Sequence, residues 1–347
     1  MSKFNSKPKI VVCVPTFNSE KTIKKTVNSI LKQSYKNFDV FFFDNFSKDN
    51  THKIIKYYLS NFNNFKSFIA RKNFTAEENF NKILEKTRYY GKYFCIFHSD
   101  DIYHKDILKF SINFLEKNPD CGAVSSNANI IDVNDRLIRE RALPEKIKNK
   151  LYIKLSQNIF LDLLFNNNNF LVTPSFVFRT KSFLKYNYFF KHKDFKTASD
   201  LNLWIDILKK EKIGIINKIL INYRLSKYSH TFRNINLQIS DSDLFKVLNK
   251  VLRKVKKHNK LKYNLYKIKY DSWLMKDRCN QLINIKLLGN KKKISLGIIN
   301  NIKYSLRCKK NFFLIIYVIF IKSLSFLPFS KYYFRIILKI KKFFFGL

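Results

Sequence analysis

Two acidic clusters in this chain have the residue types and spacing to handle a phosphorylated, metal-bound ligand. One is Asp44-Asn45-Phe46-Ser47, the other His98-Ser99-Asp100-Asp101. A nucleoside diphosphate sugar needs an acceptor group for its base or ribose and positive charge for its diphosphate. Asp44 suits the base or ribose. Asp100 suits a hard divalent cation such as Mg²⁺ or Mn²⁺, which prefers oxygen ligands. Such an ion would neutralise charge on a departing nucleotide. Arg71 offers a bidentate contact to phosphate. A further carboxylate must then take the proton of the acceptor hydroxyl.

The elements that must position these residues are legible along the first hundred positions. Residues 9–14 (KIVVCV) form a β-branched run ending at Pro15, as a buried strand does. Glu20 to Gln33 carries Ile23, Val27, Ile30 and Leu31 at helical spacing. Strands follow at 38–43, 68–70 and 93–97, with helices at 51–59 and 77–87 between them. Strand–helix alternation predicts a mostly parallel sheet, and ligands bind such sheets at the carboxyl ends of the strands. The polar clusters fall at those ends: Thr16–Asn18, Asp44–Ser47, Arg71–Asn73 and His98–Asp101.

Beyond residue 101 the pattern predicts a helix from Ile102 to Lys117, capped by Asp101. Strands are expected at 123–129, 173–178 and 213–223, and a helix at 200–208. The stretch 125–195, where acceptor specificity would lie, has no readable motif. From about residue 236 the chain becomes Lys-rich and helical, and residues 278–347 hold fifteen Lys or Arg and no Asp or Glu. The division expected is 1–235 and 236–347.

Residues 10–51 (IVVCVPTFNSEKTIKKTVNSILKQSYKNFDVFFFDNFSKDNT) resemble the opening of the family 2 glycosyltransferases. Phe94–Tyr103 (FCIFHSDDIY) is similar to that family's acidic metal-binding loop, and Asn79 and Asn81 match an Asn-x-Asn helix found in some members. TASDLNLWIDIL at 197–208 resembles the segment carrying the catalytic base, and INYRLSKYSHT at 221–231 the family's Tyr-Arg strand end. The resemblance covers about 10–230.

It implies an α/β GT-A fold and an inverting transfer from a nucleotide sugar. The donor, most simply a UDP-sugar, would meet Pro15, Thr16, Phe17, Asn18, Asp44, Asn45, Ser47, Arg71, Asn79, Ser99, Asp100 and Asp101. Phe17 would stack near the base that Asp44 binds, and Ser99 would lie by the ribose. Asp100 would hold the metal and Asp200 would be the general base. The acceptor would be a glycan or a lipid-linked sugar. Three positions depart from the pattern: Asn45 and His98 stand where acids are common, and Ser199 stands where Glu is common. Arg224 and His230 are further candidates for the diphosphate or acceptor. Trp204 reads as core.

Each of these residues has a plainer explanation. Asp44 suits a turn, and Asp200 suits a helix N-terminus, where the dipole favours acids. The net charge of +42 suggests nucleic acid, an acidic membrane or phosphorylated ligands, but a chain rich in Lys, Asn, Ile, Phe and Tyr also reflects A/T-rich codons. Two other functions compete. A nucleic-acid binder would interleave basic and aromatic residues on one face, and no such motif is present. A nucleotidyltransferase would need a Gly-rich loop after the first strand, and PTFNSEKT has no Gly.

The five cysteines show no CxxC spacing, so buried, reduced thiols in a cytoplasmic protein are expected. Lys3, Asn5, Lys7 and Lys9 interrupt any apolar leader. Phe312–Ile321 is too short to span a membrane. Flanked by basic residues, it fits a peripheral attachment to the inner face of the cytoplasmic membrane.

Overall fold

The computed structural model describes residues 9–87, 90–167, 169–225, 239–289, 309–326 and 332–337. The chain folds as two compact units, Met1–Leu225 and Ser226–Leu347.

In the first unit, β1 (Ile10–Thr16), α1 (Ile23–Leu31), β2 (Phe38–Asp44), α2 (Thr51–Asn61), β3 (Phe65–Ile69), α3 (Ala76–Thr87) and β4 (Tyr93–Ile96) alternate in order. Then follow β5 (Ile102–Tyr103), α4 (Ile107–Lys117), β6 (Cys121–Ile131), β7 (Leu137–Glu140), β8 (Tyr152–Leu155) and α5 (Gln157–Asn167). The unit closes with β9 (Val177–Arg179), α6 (Thr180–Tyr186), α7 (His192–Phe195), α8 (Ser199–Leu208) and β10 (Lys212–Arg224).

The main sheet has the order β3-β2-β1-β4-β9-β6-β10-β5, with β7 on β6 and β8 on β10. The pairs β3–β2, β2–β1, β1–β4 and β6–β10 are parallel, while β9 runs antiparallel to both β4 and β6. Strand β1 is central and covered on both faces, which is why all of Ile10–Val14 is apolar and buried. Helix α1 turns Ile23, Val27 and Ile30 inward, and α4 turns Ile107, Leu108, Ile112 and Leu115 inward. Trp204 is 1% exposed and stacks on Phe176 at 5.1 Å, as its reading as core requires. Gly214 admits Phe114 so closely that an added Cβ would sit 2.1 Å from the ring.

The helix expected from Ile102 begins only at Ile107, behind Asp106. Ile102 and Tyr103 instead pair with Asn222 and Ile221 of β10, a long-range ladder that outweighs local helical periodicity. Asp101 therefore caps no helix. The strand expected over 173–178 is half helical turn, because Pro174 starts a 3₁₀ turn at Thr173–Ser175 and only Val177–Arg179 is strand. Cys13, Cys95, Cys121 and Cys279 are all buried, and burial pushes the Cys13 thiol up to about 12. Cys308 and His230 lie outside the described residues.

The second unit contains α9 (Leu244–His258), α10 (Lys260–Leu288) and α11 (Lys309–Leu324). Asn259 caps α10 by accepting from the Lys262 amide at 2.8 Å, and Gly289 ends it in the left-handed region with φ 70°. Met275, Cys279 and Ile283 of α10 pack with Val318 and Ile321 of α11 and with Phe334.

Candidate active site

The carboxyl ends of β1, β2, β3 and β4 lie side by side, so their loops meet. The Asp44 carboxylate is almost fully buried and organises the first two. Its Oδ1 accepts from Thr16 Oγ1 at 3.0 Å and from Ser47 Oγ, and its Oδ2 accepts from the Ser47 amide at 3.2 Å. Ser47 Oγ in turn accepts from the Asn18 amide at 2.9 Å, and Asn18 Oδ1 accepts from the Lys48 amide at 2.8 Å. Asn18 (φ 49°) and Phe46 (φ 66°) both occupy the left-handed region. Asn tolerates it, whereas a bulky Phe held there marks a loop over-determined by its surroundings. Phe17 stands 46% exposed at this mouth.

Asn45 is buried and ties the β2 loop to the β3 loop. Its Nδ2 donates to Asn73 Oδ1 and to the Phe74 carbonyl, both at 2.8 Å, and its Oδ1 accepts from the Phe74 amide at 2.9 Å. Those bonds hold the loop that carries exposed Arg71. Across the other neighbour, Ser99 Oγ meets Ser19 Oγ at 2.8 Å, which joins the β4 loop to the β1 loop.

The β4 loop brings His98, Asp100 and Asp101 together, with one ligand atom from each inside 4.8 Å of the others. Asp101 is wholly buried, and its Oδ1 accepts from the Arg224 amide at 2.8 Å. Asp101 Oδ2 and His98 Nε2 are both buried with no hydrogen-bond partner. Two orphaned lone-pair carriers beside a second carboxylate are an expensive arrangement for a bare protein. They are a fitting donor set for a divalent cation. Burial lowers the His98 pKa, against the pull of Asp100, and so favours the neutral imidazole that ligates metals. Burial and then repulsion from Asp100 raise the Asp101 pKa. A neighbouring cation would favour the Asp101 carboxylate and would keep the His98 imidazole neutral. Phe80 stacks on the His98 ring at 5.8 Å and fixes its plane.

Arg224 is 3% exposed and serves this loop from behind. Its Nε donates to the Asp100 carbonyl at 2.7 Å, its Nη1 to the Asp132 carbonyl at 2.8 Å, and its Nη2 pairs with Asp135 at 2.5 Å. The expectation that Arg224 touches the diphosphate or acceptor is therefore corrected: its guanidinium is consumed inside the protein. Asn81 is likewise structural, bonding the Phe190 carbonyl at 2.7 Å and the Phe190 amide at 2.8 Å, while Asn79, two residues earlier in α3, is buried.

Asp200 occupies the first turn of α8. Its Oδ2 accepts from Thr173 Oγ1 at 2.7 Å and its Oδ1 from the Leu201 amide at 2.6 Å. Arg141 binds the carbonyls of Asn169 at 2.7 Å and Phe170 at 3.2 Å, so one short segment positions both Arg141 and Asp200. Burial lowers the Arg141 pKa, and Tyr223 and Asp200 resist that fall. Neither Thr173 nor Arg141 was signalled by the sequence, since a Thr before a Pro and an Arg in a charged run have no motif around them.

This sheet order, with a polar cradle and an acidic loop at its carboxyl edge, defines a GT-A type α/β protein. The chain belongs to glycosyl transferase family 2: that family's model matches residues 11–186, half of its length. It is 26% identical over 264 residues to the UDP-Glc:alpha-D-GlcNAc-diphosphoundecaprenol beta-1,3-glucosyltransferase WfgD of Escherichia coli, covering 72% of this chain and 94% of that protein. An uncharacterized glycosyltransferase of Rickettsia conorii is 24% identical over 228 residues, which are 66% of this chain and only 35% of that protein. Among solved structures, Staphylococcus aureus TarS residues 1–349 in complex with UDP share the fold at a TM-score of 0.57 and 20% identity, over 82% of this chain and 76% of that one. The mannosyltransferase PcManGT of Pyrobaculum calidifontis, solved with GDP-Man and Mn²⁺, aligns at a TM-score of 0.55 and 13% identity over 92% of this chain and 88% of that one. Family membership decides against the nucleotidyltransferase reading.

Proposed function

We propose that the chain transfers a hexosyl or N-acetylhexosaminyl group from a UDP-sugar to a hydroxyl of a lipid-linked glycan, with inversion, in the synthesis of a surface polysaccharide or lipopolysaccharide. The observation that carries this is the β4 loop, whose two buried, unpartnered ligand atoms stand beside Asp100 at the edge where Asp44 anchors the neighbouring loops. The WfgD likeness supports the lipid-linked acceptor, and the TarS likeness is consistent with a uridine nucleotide.

Asp44, Thr16 and Ser47 shape the nucleoside pocket beneath Phe17, and Arg71 faces the phosphates. Asp100, with His98 and Asp101, would hold Mn²⁺ or Mg²⁺, which supplies charge neutralisation to the leaving diphosphate. Asp200 takes the acceptor proton as the acceptor oxygen bonds to the anomeric carbon. The bond from that carbon to the diphosphate oxygen breaks on the opposite side, and UDP leaves with the electron pair. One displacement inverts the centre and needs no covalent enzyme intermediate.

Calorimetric titration of UDP in the presence of Mn²⁺ tests the donor site. Wild-type protein is expected to bind UDP, and Asp100→Ala to lose about tenfold or more in Mn²⁺-dependent affinity, as removal of a charged ligand contact implies. Equal affinity in the variant would sink the assignment of Asp100.

The same reading places the enzyme at the inner face of the cytoplasmic membrane as a peripheral protein. Among the described residues no helix is long and apolar enough to cross a membrane. Helix α11 nonetheless exposes Ile316, Ile319 and Phe320 on the face opposite Val318 and Ile321, and Phe326 beyond it is 78% exposed. Apolar residues on a basic segment suit anionic headgroups. Full-length protein should co-sediment with phosphatidylglycerol-containing vesicles and not with pure phosphatidylcholine. Phe320→Asp should reduce the bound fraction about fivefold. Sedimentation indifferent to lipid charge and to Phe320 would count against attachment through this face.

A further inference from the structure

Asp200 is the second residue of α8, and the helix makes use of only one of its carboxylate oxygens. Oδ1 accepts from the Leu201 amide at 2.6 Å, which satisfies one of the amides that open a helix without an intrahelical partner. One local bond leaves the carboxylate plane loosely set, because the second torsion of an Asp side chain is broad. The other oxygen is held from a different part of the chain. Oδ2 accepts from Thr173 Oγ1 at 2.7 Å, and Thr173 lies 27 residues earlier. Bonds from two separate elements fix both the position and the plane of the carboxylate.

Thr173 is itself held from both sides. Downstream, Ser175 is fully buried, and its hydroxyl donates to the Val172 carbonyl at 2.7 Å and accepts from the Ser126 amide of β6 at 3.1 Å. Upstream, the side chains of Phe170, Leu171 and Val172 are buried. There the Arg141 guanidinium grips two successive carbonyls, Nη2 that of Asn169 at 2.7 Å and Nε that of Phe170 at 3.2 Å. The Arg141 amide donates to the Ala128 carbonyl of β6 at 2.8 Å. Both anchors of Thr173 thus end on β6, two residues apart, and the Asp200 carboxylate is registered against the sheet as well as against its own helix.

Stabilising α8 does not call for this construction. A first-turn acid serves a helix through its charge, whatever the orientation of its carboxylate plane. A proton acceptor does depend on orientation, since an error near 1 Å in a reacting geometry can cost about a hundredfold in rate.

We propose that Thr173 and Arg141 are positioning residues for proton transfer: the Thr173 hydroxyl sets the Asp200 carboxylate toward the acceptor, and Arg141 holds the segment that carries Thr173. This rests on the reading of Asp200 as the general base.

The test is the initial rate of UDP release by the full chain with Mn²⁺ from UDP-glucose, UDP-galactose, UDP-N-acetylglucosamine and UDP-N-acetylgalactosamine. Water takes the acceptor's place: its oxygen bonds to the anomeric carbon, its proton passes to Asp200 and UDP leaves, so the assay needs no identified glycan. Wild-type protein is expected to release UDP from at least one of the four. With that donor, Thr173→Val, which keeps the side-chain volume, should lower kcat about tenfold or more and leave the donor KM within about twofold. Thr173→Ser, which keeps the hydroxyl, should recover most of the loss. Arg141→Met should lower kcat about tenfold, again with little change in KM. It reads the same tie from its far end, so a Thr173→Val chain that fails to fold still leaves the test standing.

The proposal is overturned if Thr173→Val or Arg141→Met keeps more than about half of wild-type kcat, or if Thr173→Ser is as slow as Thr173→Val. It is also overturned if Arg141→Met raises KM and spares kcat, because the guanidinium then binds the donor. Asp200→Asn separates the two ideas. If wild-type protein releases no UDP, or if Asp200→Asn releases it normally, the proposed function loses its donor or its base. If Asp200→Asn is slow and Thr173→Val is not, only this inference falls.

Discussion

Replacing Asp200 with Asn is expected to cut sugar transfer by about 10²- to 10⁴-fold, the range a positioned general base contributes, while leaving UDP affinity unchanged. The substitution keeps the side-chain volume, and the Asn oxygen can still accept from the Thr173 hydroxyl or the Leu201 amide. The change therefore removes basicity and charge without removing the local tie. The competing role for Asp200 is stabilisation of the α8 N-terminus by a first-turn acid, worth about 0.3–1 kcal/mol. The two roles separate by magnitude and by measurement. A structural role would lower the melting temperature slightly and leave turnover near wild type. The base role lowers kcat by orders of magnitude and abolishes the rise of rate with pH that a titrating carboxylate gives. Initial-rate kinetics over a pH series, alongside UDP titration, decides between them. A variant that retains more than about a tenth of wild-type kcat would remove Asp200 from the mechanism.

Arg224→Ala is expected to be the most destabilising change behind the site. It removes an almost fully buried guanidinium, which costs about 3–5 kcal/mol, because the Asp100 carbonyl loses its side-chain donor, the Asp132 carbonyl keeps only the Asp135 amide, and partly exposed Asp135 is left with only Lys25. At about 2–4 °C per kcal/mol for a unit of this size, the melting temperature should fall by roughly 10 °C. Arg224→Lys should rescue little, since one ammonium cannot reach a carbonyl on each side and a carboxylate together. The backbone amide of residue 224 still donates to Asp101 in either variant, so the loop loses its outer brace and keeps its inner one. Weaker UDP binding in the presence of Mn²⁺ should accompany the loss. Calorimetry showing a shift under about 2 °C would mean that the network is dispensable.

The contrast between Asp44 and Arg224 shows how far the sequence could be read. Asp44 follows the apolar run Val40–Phe43, so its place at a carboxyl edge was legible from the local sequence. Arg224 also follows a strand and sits in a motif similar to the family's, yet nothing local told that its guanidinium points inward. That depends on Asp132 and Asp135, about ninety residues earlier, arriving beside it through the β6–β10 ladder. Asp101 failed in the same way. Acids before an apolar run read as a helix cap, but pairing of Ile102 and Tyr103 with β10 displaced the helix start to Ile107. Asn45 reads as a weakened acid in the sequence. In the fold it is the tie that brings the Arg71 loop to the site.

By itself the sequence determined the β–α alternation of the first hundred residues, the sheet edge at which the polar loops gather, and the acidic loop at Asp100. Those properties follow from hydrophobic spacing along contiguous residues, which needs no partner to be read. Only the tertiary structure decided that buried Asp101 Oδ2 and His98 Nε2 lack hydrogen-bond partners beside Asp100, that Arg224 is a brace, and that the Thr173 hydroxyl holds Asp200. Each of these depends on contacts between residues far apart in the chain, set by strand register and by the satisfaction of buried polar groups. The opening pair of clusters is thus proposed to act as a nucleoside cradle around Asp44 and a cation cradle around Asp100, held in place by residues that no local pattern could name.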